Sequence, residues 1–219
     1  MTEQEWKAAR RLMVERDLRG RGVKDERVLA AMERVPRHRF VPPELRAHAY
    51  EDRALPIGHG QTISQPYIVA LMTELLELRG GEKVLEVGTG SGYQAAVLAE
   101  LGCEVYTVEL VEPLGKAAKH RLEELGYDRV HVRIGDAYHG WPEAAPFDAA
   151  IFTAATPRVP EPILEQLSEG ARIVAPLDEG AGYQTLVVGR KEGGRVSWSP
   201  VAGVAFVPMR GLVRTPEEN

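Results

Sequence analysis

Apolar positions follow three regimes along the chain. Near the start, Trp6, Ala9 and Met13 recur at helical spacing behind a Thr2–Glu5 capping-box pair, which predicts a first helix over 3–18. A short second helix is expected after Asp25, with Val28, Leu29 and Met32 on its apolar face, ending before Pro36. The stretch 36–65 has little periodicity, four prolines and two glycines, and reads as a loop. Its apolar punctuation ("RFVPP", "ALPIGHGQTIS") makes it a packed, functional loop rather than a disordered one.

From Ser64 the pattern becomes regular. Ser64 is placed to cap a helix with Pro66 in its first turn and Ile68, Leu71, Met72 and Leu75 as its buried stripe. Strands are expected over 84–87, 105–108, 130–134, 149–152 and 173–176, with helices over 93–101, 113–125 and 160–167 between them. Such alternation indicates a parallel sheet covered on both faces. The ending changes character: 185–190, 196–198 and 204–207 read as antiparallel strands around the turn "KEGG". The expectation is one domain over 1–219: a helical extension over 1–79, a ligand-binding core over 80–177, and antiparallel C-terminal strands over 178–219.

Composition narrows the class. The 219 residues are 44% hydrophobic and 27% charged, ordinary for a globular chain and unlike a disordered one. A formal charge of -5 argues against a broad nucleic-acid surface. No apolar run approaches the roughly 20 residues that span a bilayer, and the start "MTEQEWKAARR" lacks a signal-peptide core. The single cysteine, Cys103, excludes an intramolecular disulfide framework and fits a reducing, cytoplasmic setting. His59 and His139 lack metal-ligand partners, so no metal is assigned.

The strongest local signal is "VLEVGTGSGY", an apolar strand running into Gly88, Gly90 and Gly92 before a helix. Glycines there let backbone approach a ligand at the carboxyl end of the first core strand, as in a Rossmann-like fold. The spacing is G-x-G-x-G, and Tyr93 stands where a dinucleotide fingerprint wants its third glycine. Glu86 lies inside the strand, where it would repel a pyrophosphate but attract an ammonium and a sulfonium. Glu109 closes the second core strand, placed for ribose hydroxyls, and Asp136 follows the third, within reach of an adenine amino group. S-adenosyl-L-methionine combines these groups and carries no phosphate; a nicotinamide-dependent dehydrogenase is the rival reading.

The segment "GHGQTISQPYIVALMTELL" resembles the pre-core signature of the protein-L-isoaspartate (D-aspartate) O-methyltransferase family. The resemblance continues through "VPRHRFVPPELRAHAYEDRALPIGHGQTISQP", "RIGDAYHGWPEAAPFDAAIFTAATPRVPEPILEQLSEGARIVAPL" and "GVAFVPM", over nearly the whole chain and in order. It implies the three-layer class I methyltransferase fold. It also implies methyl transfer from S-adenosyl-L-methionine to the free carboxylate of L-isoaspartyl residues in age-damaged proteins and peptides, with S-adenosyl-L-homocysteine as product. By position Ser64 matches the active-site serine, Gln61, Thr62 and Ile63 the lid beside the cofactor, and Glu86, Glu109 and Asp136 the acidic cofactor ligands; Ala137 follows the last of these. The family commonly has aspartate at Glu86, "GDG" at Gly135-Asp136-Ala137 and "KPGG" at the "SEGA" turn.

The chemistry is self-consistent. A carboxylate of pKa near ~4 is already a nucleophile at neutral pH, so the protein supplies alignment rather than a base. Ser64 is the expected orienter, donating one hydrogen bond to the substrate carboxylate. Because damage sites lie in arbitrary sequences, substrate contacts should go to peptide backbone, by strand addition along "GVAFVPM" through unpaired groups near Val207 and Pro208, with Gln184 a weaker candidate. The expected partners are damaged polypeptides, without nucleic acid or membrane, met by a monomeric enzyme. A class I methyltransferase acting on a small molecule or nucleic acid is the alternative.

Overall fold

In the computed structural model, which describes residues 1–180 and 182–214, the chain opens with α1 (Glu3–Leu12). The capping box forms: Glu5 N donates to the Thr2 hydroxyl at 3.3 Å and Thr2 N to the Glu5 carboxylate at 2.6 Å. The α-geometry ends before residue 18, giving way to a π-helical stretch over Met13–Leu18 in which Met13, Val14 and Leu18 are buried. α2 (Glu26–Arg34) is capped by Asp25 and buries Val28, Leu29 and Met32, as the spacing predicts.

The span 36–65 is more ordered than a loop. It holds 3-10 turns at Arg37–Arg39 and Pro43–His48, then a hairpin of β1 (Leu55–Gly58) and β2 (Gln61–Ile63). The hairpin reverses through Gly58, His59 and Gly60, all at positive φ. Strands of four and three residues carry too little alternation to be read from sequence, and Pro56 in β1 hides the first.

α3 (Pro66–Leu75) differs from expectation in two ways. Its N-cap position is Gln65, not Ser64, and no side chain of its own caps it. Instead Asp52 reaches across: its carboxylate accepts from Tyr67 N at 3.0 Å and from Gln65 Nε2 at 2.8 Å. An anion at a helix N-terminus is favourable wherever it originates in the chain. The deeply buried face is Val69, Ala70, Met72 and Thr73, whereas Ile68, Leu71 and Leu75 are only half-buried. The helix is apolar nearly all round, so periodicity does not select its inner face.

The core then alternates as β3 (Lys83–Val87), α4 (Tyr93–Glu100), β4 (Glu104–Glu109), α5 (Glu112–Glu124), β5 (Val130–Ile134), β6 (Phe147–Phe152), α6 (Glu161–Glu165), β7 (Leu167–Gly180), β8 (Tyr183–Glu192) and β9 (Arg195–Gly203). The sheet order is β5-β4-β3-β6-β7-β8-β9, parallel through β7 and antiparallel at the last two pairings. α3 and α4 pack Met72, Leu76, Ala95 and Leu98 against Val84, Val105, Ala149 and Ile151 on one face. Ile163 of α6 and Ala137, Ala144 and Val159 of the connections cover Leu85, Val87, Ala150 and Phe152 on the other. This is the expected three-layer α/β arrangement with an N-terminal helical extension and an antiparallel edge.

Two further expectations change. α6 is one and a half turns rather than the whole of 160–167, because residues from Leu167 onward are drawn into β7. The segment 204–207 is not a strand: pairing with β8 ends at Gly203↔Thr185, and the chain crosses to a parallel bridge between Pro208 and Ala155.

Candidate active site

Order reversal in a parallel sheet opens a crevice at the strands' carboxyl ends. Here β3 lies between β4 and β6, and the crevice is a cavity of about 910 Å³, its open mouth included. Its lining includes Glu86, Gly88 and Gly90 from β3 and the loop after it, Glu109 from β4, and Ala137 after β5. The β1–β2 flap adds Gln61, Thr62, Ile63 and Ser64, and the C-terminal segment adds Val207 and Pro208. Most of the sequence-predicted residues are thus brought together.

The glycine loop is shaped by close approach. Gly88 has φ 95°, and a Cβ there would lie 2.5 Å from the Thr153 hydroxyl oxygen. That hydroxyl donates to Val87 O at 3.0 Å and Gly88 O at 2.5 Å, locking the loop to the end of β6. Gly92 is elsewhere: it caps α4 at φ 86°, outside the cavity lining, and a Cβ would press on Leu122 of α5 at 3.1 Å. Its smallness serves helix packing rather than the ligand.

The two carboxylates behave differently. Glu109 is fixed by backbone, accepting from Gly90 N at 2.8 Å and Val111 N at 2.9 Å, one bond to each oxygen. Glu86 is fully buried, and among the described residues neither of its oxygens has a hydrogen-bond partner. Burial pushes its carboxyl up to about 8; the nearby Thr107 hydroxyl opposes the rise and the charge of Glu109 adds to it. An orphaned acid inside a cavity calls for a cationic or hydrogen-bond-donating ligand.

Asp136 is not delivered to the cavity. Its carboxylate accepts from Tyr138 N at 2.9 Å and Leu212 N at 2.8 Å, tying the end of β5 to the C-terminal segment, and only its neighbour Ala137 reaches the lining.

A second, open groove of about 1680 Å³ adjoins the cavity. Thr62, Ser64, Thr153, Phe206 and Val207 line both. Ser64 is half-buried at this junction, and among the described residues no group bonds its hydroxyl. Its carbonyl is held at 2.7 Å by Nη2 of Arg37, which is wholly buried, donates from Nε to Ala49 O at 2.8 Å and lies 4.8 Å from the Tyr93 ring. Burial lowers this guanidinium to about 10, so it remains a cation at neutral pH. Sequence reading missed Arg37, because an arginine between Pro36 and His38 resembles any exposed one, and it missed Asp52 for the same reason.

The C-terminal wall is partly committed. Val207 O accepts from Ala155 N at 2.9 Å and Pro208 has no N–H, so among the described residues the Val207 N–H and the Pro208 carbonyl are the backbone groups left unpaired at these two positions. Gln184 explains itself differently: its side chain accepts from Phe206 N at 2.6 Å and donates to Phe206 O at 3.1 Å, pinning that wall while lining the groove.

Comparison with known proteins decides the lineage. Residues 9–214 match the family model described as protein-L-isoaspartate (D-aspartate) O-methyltransferase. The chain belongs to this family. It is 55% identical over 195 residues to protein-L-isoaspartate O-methyltransferase 2 of Polaromonas sp., covering 88% of this chain and 92% of that one. It is 59% identical over 187 residues to protein-L-isoaspartate O-methyltransferase 1 of Nitrosospira multiformis, covering 84% and 78%. A solved protein-L-isoaspartate O-methyltransferase superposes with a TM-score of 0.85 at 30% identity, over 93% of this chain and 67% of that one. A Plasmodium falciparum structure described as a beta-aspartate methyltransferase in complex with S-adenosyl-L-homocysteine shares the fold, with a TM-score of 0.79 at 24% identity over 92% and 98%. No helix among the described residues is long and apolar enough to cross a membrane, and no group of three His, Cys, Asp or Glu side chains among them could hold a metal.

Proposed function

We propose that the protein binds S-adenosyl-L-methionine in the deep cavity and esterifies the free carboxylate of an L-isoaspartyl residue presented in the adjoining groove. The observation that carries this reading is the meeting of the two spaces at Ser64, with a free hydroxyl at the junction. The cavity chemistry fits the donor: Glu86 is an orphaned buried acid suited to an ammonium, and Glu109 retains lone pairs for ribose hydroxyls. Leu110, Val111 and Ala137 supply walls for an adenine. A pyrophosphate would be repelled by the Glu109 carboxylate and would gain no counter-charge from Glu86, which disfavours a dinucleotide.

The cofactor supplies an electrophilic methyl group, taken up by the substrate carboxylate oxygen while the C–S electron pair leaves with sulfur. The protein moves no proton in this exchange. Ser64 donates to one carboxylate oxygen and sets the other on line, Arg37 holds the Ser64 backbone, and Gln184 keeps Phe206 and Val207 as the groove's far wall. The amide nitrogen of the following residue then attacks the methyl ester without the enzyme, expelling methanol and closing a succinimide whose hydrolysis returns some aspartate. The working unit is a cytoplasmic monomer acting on aged proteins.

The test is transfer of labelled methyl to paired peptides differing only in aspartyl or isoaspartyl linkage. Label should enter only the isoaspartyl peptide; equal labelling of both, or of neither, overturns the assignment and returns the small-molecule or nucleic-acid acceptor. Ser64→Ala should lower turnover about tenfold or more, the worth of one hydrogen bond to a charged group, while S-adenosyl-L-homocysteine affinity holds. Equal loss of both would make the serine structural.

A further inference from the structure

A third concavity lies behind the glycine loop, between α5 and the 36–46 stretch of the N-terminal extension. Gly90 and Ser91 form part of its wall and also line the cofactor cavity from the other side. Its apolar surface comes from Phe40, Val41, Ile57 and Leu114, and its charged surface from Arg39, Arg46 and Arg121 with His120. Among the described residues lining it, Glu124 is the single acid.

Positive charge concentrated there is unexpected in a chain whose formal charge is -5. Glu124 answers part of it, standing 3.9 Å from Arg39 and 3.7 Å from His120. Arg121 is half-buried, and one of its nitrogens is spent on Ser91 O at 2.8 Å. Burial lowers its basicity; Glu124 opposes this, and the charges of Arg39 and Arg46 lower it further. Three guanidinium groups therefore crowd one cleft with less than half their charge neutralised. Arg39, Arg46 and His120 are exposed, so water screens much of their mutual repulsion and leaves their donors free for an anion entering the cleft, while Arg121 is half-buried at its base. Guanidinium forks match phosphate oxygens in geometry as well as charge, and a single monovalent anion would leave the cluster under-compensated.

We propose that this cleft is a second binding site, for a multivalent phosphoanion such as inorganic pyrophosphate or the polyphosphate of a nucleotide. The apolar surface beside the arginines accommodates a base or ribose, so the two sources differ in whether they use it. The site is independent of the methyl-transfer reading, because none of Arg39, Arg46 and His120 lines the cofactor cavity or the groove.

Calorimetric titration of the full chain at physiological salt, with inorganic pyrophosphate and separately with adenosine diphosphate, tests the proposal. One saturable site per chain is expected for at least one probe, still filled when S-adenosyl-L-homocysteine is present at saturation. Tighter binding of the nucleotide identifies a nucleoside phosphate; equal or tighter binding of pyrophosphate identifies the free anion. Arg39→Gln with Arg46→Gln should weaken the site about tenfold or more by removing two charge-assisted partners. The same double variant should keep wild-type S-adenosyl-L-homocysteine affinity, which certifies its fold. Absence of saturable binding, unchanged affinity in the double variant, or complete displacement by S-adenosyl-L-homocysteine would each overturn the proposal.

Discussion

Glu86→Gln separates what this carboxylate costs the fold from what it gives the ligand. In the unfolded chain Glu86 titrates near 4.5, and in the folded protein burial raises it to about 8. A group raised on folding contributes its full stability only below the lower value, and that contribution drains away as pH climbs through the higher one. Multiplied by RT ln 10, the gap amounts to about 5 kcal/mol above pH 8, of which about 3 kcal/mol is already lost at pH 7. Glutamine keeps the shape and polarity of the protonated acid but takes no part in proton linkage. The ligand-free variant should therefore match the wild type near pH 4 and exceed it by about 3 kcal/mol at pH 7, or roughly 6–12 °C in Tm for a chain of this size. Scanning calorimetry of both proteins from pH 4 to 9 measures this directly, because titrating groups that do not interact with Glu86 cancel in the difference, leaving Glu86 and its coupling to Glu109. Titration of the same samples with S-adenosyl-L-homocysteine should show the variant binding more weakly, since its amide offers the ligand's ammonium no charge. A stability difference flat with pH would refute the buried-acid argument, and unchanged affinity would remove Glu86 from the ligand site.

Other outcomes follow from the same geometry. Arg37→Met strands the carbonyls of Ser64 and Ala49 inside the protein and should lower stability by about 2–4 kcal/mol, read from the urea midpoint; a wild-type midpoint would mean that water replaces the guanidinium. Gln184→Ala releases Phe206 and should raise KM for an isoaspartyl peptide severalfold while leaving S-adenosyl-L-homocysteine affinity in place, whereas a pure kcat loss would assign the wall to the cofactor side.

The core was legible because its signals are local. Apolar runs ending in Gly88 and Glu109 announce strands, and alternation with amphipathic helices announces the sheet's parallel order. Glu86 could be placed in the cavity because strand and loop are contiguous. What stayed hidden depends on contacts between distant positions. The cap of α3 comes from Asp52 rather than the adjacent Ser64, and the anchor of the flap comes from Arg37. Asp136 sits where the strand pattern puts it, yet the C-terminal segment recruits its carboxylate through Leu212 N. The 204–207 stretch has the composition of a strand and is diverted because Ala155 offers it a bridge beyond the edge of β8. Residues 215–219, the end of the expected C-terminal unit, lie outside the described residues.

The wall formed by Phe206–Arg210 is fastened to β6 through Ala155, to β8 through Gln184, and, just beyond, to Asp136 and Asp178 through Leu212 and Arg214. All the sheet strands precede it in the chain. A chain cut after Gly203 would keep every strand of the sheet and lose the whole of this wall, leaving the crevice without the side that Phe206–Arg210 supply.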